Sequence, residues 1–237
     1  MSIVISPRTA SVLSNFLEIN KSIYIKAGNK ITTLSVNKNI MAEFISEEEF
    51  DREIPIYDLG DLMTAFRITT SKSAGGDGLT LLDLSNPNCL VVSNESGNQK
   101  TRIYYSDPDL IVSAPEKEFT LPAPDVKFHL SVDALSQLKY ASTSYGVPDL
   151  CVYGVDGQMH ICVTDKKNET SNTFSIELGE VAGDDFCYCF KQENIKLYFH
   201  RDCDGYDVSI HGGKVALFES KKLQLRYWIA LEPNTTK

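Results

Sequence analysis

The chain has 237 residues, 42% hydrophobic, 10% aromatic and 23% charged, ordinary values that exclude a disordered, collagen-like or low-complexity protein. That length accommodates one large domain or two modest ones, each able to bury a core. A formal net charge of −9 argues against a general nucleic-acid binder unless the few basic residues gather on one surface.

The start, MSIVISPRTASVLSNFLEIN, lacks a basic region followed by an unbroken apolar run, and no later stretch approaches a membrane span. A cytoplasmic protein is expected. Ser6 as N-cap and Pro7 at the first helical position open a helix carrying Ala10, Leu13, Phe16 and Leu17 at helical spacing. Strand patterns follow at 22–27, 30–36 and 40–45, with Gly28-Asn29 and Asn37 to Asn39 between them, and read as an antiparallel meander.

At REIPIYDLGDLMTAF (52–66) a strand with Ile54 and Ile56 passes straight into a helix with Leu59, Leu62, Met63 and Phe66. Asp58 is placed as its N-cap, with Asp61 near the positive end of the helix dipole. A glycine-rich turn at Ala74 to Gly78 leads to strands at 79–84, 89–94 and 101–106. Residues 107–125 hold four of the nine prolines and little periodicity, as expected of a connector between a first domain, 1–106, and a second, 126–237.

The pattern then restarts: a strand at 126–130, Ser131 as N-cap, and a helix with Leu135, Leu138, Ala141 and Tyr145. Strands at 149–155 and 158–164 flank Asp156-Gly157, a strong hairpin signal, and a further strand runs through 173–179. A shift of 133 residues carries Ile54 onto Cys187, Ile56 onto Cys189, Asp58 onto Lys191, Leu62 onto Ile195 and Phe66 onto Phe199, so a helix is expected after Lys191 too. The order strand, helix, four strands, helix, four strands thus repeats once, which points to duplication in an α+β arrangement with two helices on one face of an antiparallel sheet in each half.

No G-x-S-x-G, H-E-x-x-H, C-x-x-C or phosphate-cradling Gly-Lys-Ser/Thr sequence occurs, so neither the common enzyme signatures nor a cofactor is indicated. Cysteines 89, 151, 162, 187, 189 and 203 lie mostly in apolar alternating runs and are expected as reduced, buried thiols. Cys187 and Cys189 with His200 and Cys203 have acceptable ligand types for zinc but not the usual spacing, and burial is the better reading, with no metal assigned. In or beside the four expected helices lie Arg8, Arg67, Lys139, Lys191, Lys196 and Arg201, which would face a polyanion together if all the helices share one side.

The start SPRTASVLSNFLEINKSI, the junction IPIYDLGDLMTAF, the connector YSDPDLIVSAP and the tail YWIALEP together resemble the sliding clamps, specifically those of T-even-type bacteriophages. The resemblance spans the chain and is thinnest across 140–225. It implies the DNA-clamp fold and a homotrimeric ring around double-stranded DNA, with the helices lining the hole and the sheets outside. Such a ring has no catalysis of its own. It tethers the replicative DNA polymerase and is opened by a separate ATP-driven clamp loader.

In that family the last strand of the first domain pairs with an edge strand of the second domain of the next subunit. This maps onto Thr101, Ile103 and Tyr105 on one side and Thr173, Ser175 and Glu177 on the other. Partners insert a short hydrophobic peptide beside the connector, which implicates Leu110, Ile111 and Val112 with Leu231 and Pro233. The resemblance also leaves room for transcription factors as partners, gives no role to a membrane, and places the protein in the cytoplasm of an infected bacterium. Two other readings stay open: a duplicated β-rich structural or virion protein without a DNA role, and an enzyme with a dispersed site at His200, Cys203 and Asp204.

Overall fold

A computed structural model describes residues 2–71, 76, 78–115, 120–200 and 202–233. Arg201 and most of the Ala74 to Gly78 turn lie outside them. The chain divides into two compact units, residues 1–117 and 118–237, and the division falls within the proline-rich stretch.

The first unit begins with a short strand that the sequence reading missed, β1 (Ser2–Ile5). Helix α1 (Pro7–Ile19) then starts where Ser6 Oγ accepts the Thr9 amide, 3.1 Å away. Its Val12, Leu13, Phe16 and Ile19 are buried, a stripe worth about 1.5–3 kcal/mol per large apolar side chain. The same helix start is held from a distance. Glu48, buried in β4 (Ile40–Phe50), accepts the Ser6 amide at 2.6 Å and the Thr9 hydroxyl at 2.5 Å.

Strand β3 (Gly28–Leu34) pairs with β4, but β2 (Ile23–Ile25) does not continue that ladder as a meander would. It pairs with β5 (Ile54–Ile56), putting Pro55 opposite Tyr24. Proline is tolerated there because it sits in a three-residue strand in a two-stranded ladder, where its missing N–H costs little pairing. Helix α2 (Leu59–Thr70) follows without a loop, and β6 (Thr80–Asp83), β7 (Cys89–Ser93) and β8 (Lys100–Tyr104) complete a sheet in the order β1-β6-β7-β8.

The second unit repeats this topology. Strand β9 (Val126–Ser131) leads to α3 (Val132–Tyr145), which ends at Gly146 in the left-handed region (φ 66°), a conformation that favours glycine. Next come β10 (Asp149–Val155), β11 (Gln158–Thr164), β12 (Phe174–Glu180) and β13 (Phe186–Lys191), in the order β12-β11-β10-β13. At the hairpin tip Asp156 and Gly157 both have positive φ, 50° and 77°, as a tight two-residue turn requires.

Three strands then close the unit: β14 (Gly205–His211), β15 (Val215–Ser220) and β16 (Leu225–Ala230), adjacent in the order β16-β15-β14-β9. The two units thus share a wiring plan: β1-β6-β7-β8 matches β9-β14-β15-β16, and the β2–β5 and β3–β4 pairs match β10–β13 and β11–β12. The duplication read from element order is therefore present in the strand pairing.

Two further expectations fail in the second unit. The fourth helix is a single 3-10 turn, Gln192–Asn194, and residues 195–200 carry no helix. Lys191, at its N-cap position, has no side-chain oxygen to accept the orphan amides, and its ammonium is held 2.7 Å from the fully buried Asp149 carboxylate. The cysteines are not all reduced either: Cys151 and Cys189, directly opposed on β10 and β13, are joined as a disulfide. Their register makes them neighbours, which spacing along the chain does not reveal.

Candidate nucleic-acid interface

Among the described residues, two of the basic side chains expected at the DNA-facing surface stand on the outward faces of helices. On α2, Leu59, Leu62, Met63 and Phe66 turn inward, which leaves Arg67 exposed in the last turn beside Thr64 and Thr70. The helix begins at Asp58, whose Oδ1 accepts the Gly60 amide at 2.8 Å and the Asp61 amide at 3.3 Å. On α3, Leu135, Leu138 and Ala141 face inward, so Lys139 is exposed next to Tyr140.

The other three described cations sit differently. Arg8, in the first turn of α1, makes an ion pair of 3.1 Å with Glu47, with 39% and 59% of the side chains exposed. Lys191 is tied to Asp149, whose second oxygen accepts the Lys166 amide at 3.0 Å. That hydrogen bond holds the Lys191 ammonium above its ordinary value, the attraction outweighing partial burial. Lys196 is half-buried in the irregular stretch after the 3-10 turn. Helical spacing also overlooks Lys21, exposed at the corner after α1, whose carbonyl accepts the Leu59 amide at 2.7 Å where α2 begins.

The residues expected to join subunits lie on strands that end their sheets. Strand β8 is the outer member of β1-β6-β7-β8, with Thr101 and Ile103 half-buried and Tyr104 68% exposed. Tyr105 follows it, its amide donating to Asn88 O at 3.0 Å and its phenol pushed up by burial. On the outer strand β12, Ser175 and Glu177 point outward, as does Thr173 just before it. Beside β12, Tyr140, Tyr145 and Phe174 line a recess of about 440 Å³ with Gln137, Ala141 and Ser144.

The expected peptide contacts are split by burial. Leu110 ends a 3-10 turn, Pro108–Leu110, capped by Asp107, and is 65% exposed, whereas Ile111 is buried. Val112 is fixed through its carbonyl, which accepts from Asn20 Nδ2 at 3.1 Å. In the second unit Leu231 is half-buried with its amide on Lys214 O at 2.9 Å, and Pro233 is exposed.

The dispersed catalytic constellation does not assemble among the described residues. His200 Nδ1 lies 2.7 Å from Asp202 Oδ1, and the buried Cys203 thiol bonds to Gly205 O at 3.7 Å. No helix of the described residues is long and apolar enough to cross a membrane.

Comparison with known proteins bears on the family and the fold. A family model described as "gp45 sliding clamp, C terminal" matches residues 127–233. The chain is 32% identical over 230 residues to the sliding clamp of Vibrio phage KVP40, covering 94% of this chain and 96% of that one. It is 26% identical over 244 residues to the sliding clamp of Enterobacteria phage T4, covering 98% of each. Its fold is similar to that of the Proliferating Cellular Nuclear Antigen from Entamoeba histolytica, with a TM-score of 0.69 at 14% identity over 98% of each chain. At that identity the likeness concerns the α+β DNA-clamp fold alone. With the near-complete match to the phage proteins, the chain belongs to the phage sliding clamp family, the non-enzymatic processivity factors of phage DNA polymerases.

Proposed function

We propose that three copies of the chain close head to tail into a ring around duplex DNA, opened by an ATP-driven clamp loader and tethering the polymerase in the cytoplasm of an infected bacterium. The observation that carries this is the presence of outer strands on both units, β8 and β12, each bordered by exposed aromatic surface: Tyr104 on one, Tyr140 and Tyr145 beside the other. A cyclic trimer needs two unlike surfaces that fit each other, and edge strands left unpaired invite aggregation. Pairing Thr101, Ile103 and Tyr105 with Thr173, Ser175 and Glu177 of the next copy meets both requirements.

Inside the ring, Arg67 and Lys139 act on phosphates, with Arg8, Lys191 and Lys196 contributing less direct positive potential; Arg201 is assigned to the same face by its place in the sequence. Phosphate contacts position a protein without reading sequence, as sliding demands. Retention should fall with salt by a log–log slope of about −0.9 per phosphate neutralised. Leu110, Leu231 and Pro233 offer apolar surface to a partner peptide, while Ile111 and Val112 hold their segment to the first unit.

Native mass measurement with a processivity assay on primed DNA, with and without a loader, tests the proposal. A trimer that extends synthesis only when loaded is expected. A chain that stays monomeric at micromolar concentration and never stimulates polymerase overturns it. Tyr140→Glu, at an exposed position, should yield a folded protein with weakened trimer.

A further inference from the structure

One face of the β12-β11-β10-β13 sheet collects sulfur. Alternation along β10 and β13 puts Cys151 and Tyr153 on the same side as Cys187 and Cys189, and register sets Cys151 opposite both Cys189 and Cys162. Cys151 and Cys189 form the disulfide, with Cα atoms 4.1 Å apart. Cys187 is exposed, and its Sγ stands 3.7 Å from Cys189 Sγ. The sulfurs of Cys151, Cys187 and Cys189 all lie within 4.8 Å of one another. Nothing in ring closure or DNA retention uses them.

Two thiolates bound to one tetrahedral ion at about 2.3 Å each stand about 3.8 Å apart. The Cys187 and Cys189 sulfurs already have that separation. We infer that, once the Cys151–Cys189 disulfide is reduced, Cys151, Cys187 and Cys189 form a three-thiolate site for one soft divalent cation of the Zn²⁺ or Cd²⁺ kind. This set differs from the one read along the chain, since His200 and Cys203 have other partners and Cys151 comes from a neighbouring strand.

The chemistry balances without an unnamed reactant. Two molecules of a small thiol reduce the bridge, yielding two cysteine thiols and one disulfide between the reductant molecules. Binding then displaces three thiol protons to solvent and leaves one tetrahedral position for water. Three thiolates around a divalent ion leave one net negative charge on the site. Cys187 provides the entry path, while the buried Cys151 and Cys189 keep water from the other two bonds. Cys162 is outside the convergent set.

The test is titration of the full chain with Cd²⁺, once after reduction and removal of the reductant and once oxidised, followed by thiolate-to-metal absorption and native mass. The expected result is one Cd²⁺ per reduced chain and none at this site in the oxidised chain. Cys187→Ser, a change at an exposed position, should abolish the absorption of this site, and Cys162→Ser and Cys203→Ser should retain it. Reduced chain without a bound ion overturns the site, as does binding that Cys187→Ser leaves unchanged.

Discussion

The two places where a strand runs on into the segment expected to be helical, Ile56 to Thr70 and Cys189 to His200, occupy equivalent positions in the two units and end differently. In both, the first residue after the capping position folds back onto the start of the unit's first sheet pair: Leu59 N donates to Lys21 O at 2.7 Å and Gln192 N to Pro148 O at 2.8 Å. After that they diverge. Asp58 receives two amides and a 12-residue helix follows, while Lys191 receives none and a three-residue turn follows. The path of the chain survives duplication, whereas the helix depends on one capping side chain and the length of good helix behind it.

The largest effect expected from this comparison comes from Lys191. Lys191→Met leaves the Asp149 carboxylate buried with no cation, and should destabilise the fold by about 3–5 kcal/mol in denaturant unfolding. A loss below about 1 kcal/mol would mean that Lys191 is a solvent-directed cation after all. The same pair predicts a pH signature. Because the folded pKa of Lys191 is raised, its contribution is complete below the ordinary lysine value of 10.5 and is lost as pH climbs through the raised value. Alkaline unfolding of Lys191→Met should lack that component.

Asp58→Ala comes next, with an expected loss of about 1 kcal/mol and fraying at the start of α2, visible as faster amide exchange at Gly60 and Asp61. Exchange unaltered there would show that tertiary packing alone sets the start of the helix. Smallest is Arg8→Ala, about 0.2–1 kcal/mol, since its pair with Glu47 is largely solvated. For DNA retention Arg67→Glu with Lys139→Glu is the cleaner pair, because it disturbs no buried carboxylate; loss of retention on circular DNA with an intact trimer is the expected outcome.

Local signals were legible where a few adjacent residues settle the geometry. Ser6-Pro7, Asp58 and Ser131 each start the helix expected of them, and Asp156-Gly157 turns the hairpin between β10 and β11. What stayed hidden depends on residues far apart. Strand β1 is only four residues long and gains its identity from β6, some eighty residues later. The bond from Lys191 spans 42 residues, so a basic residue at a helix-like position could not be told from one anchoring a carboxylate. The cysteine pairing is a matter of register across β10 and β13. Among the candidate DNA contacts, the spacing that picks Arg67 and Lys139 from the outward face of a helix picks Arg8 equally, without seeing Glu47 beside it.

The amide of Asn20, at the end of α1, donates to Leu34 O at 2.9 Å and to Val112 O at 3.1 Å while its oxygen accepts the Ser22 amide. Its reach to Val112 spans 92 residues. In mechanical language it is a strain relief: tension on the chain leaving the first unit is delivered at Val112 into the end of a packed helix and strand β3. Strand β8, whose outer edge is proposed to join the neighbouring copy, is thereby spared a pull that would peel its ladder one bond at a time.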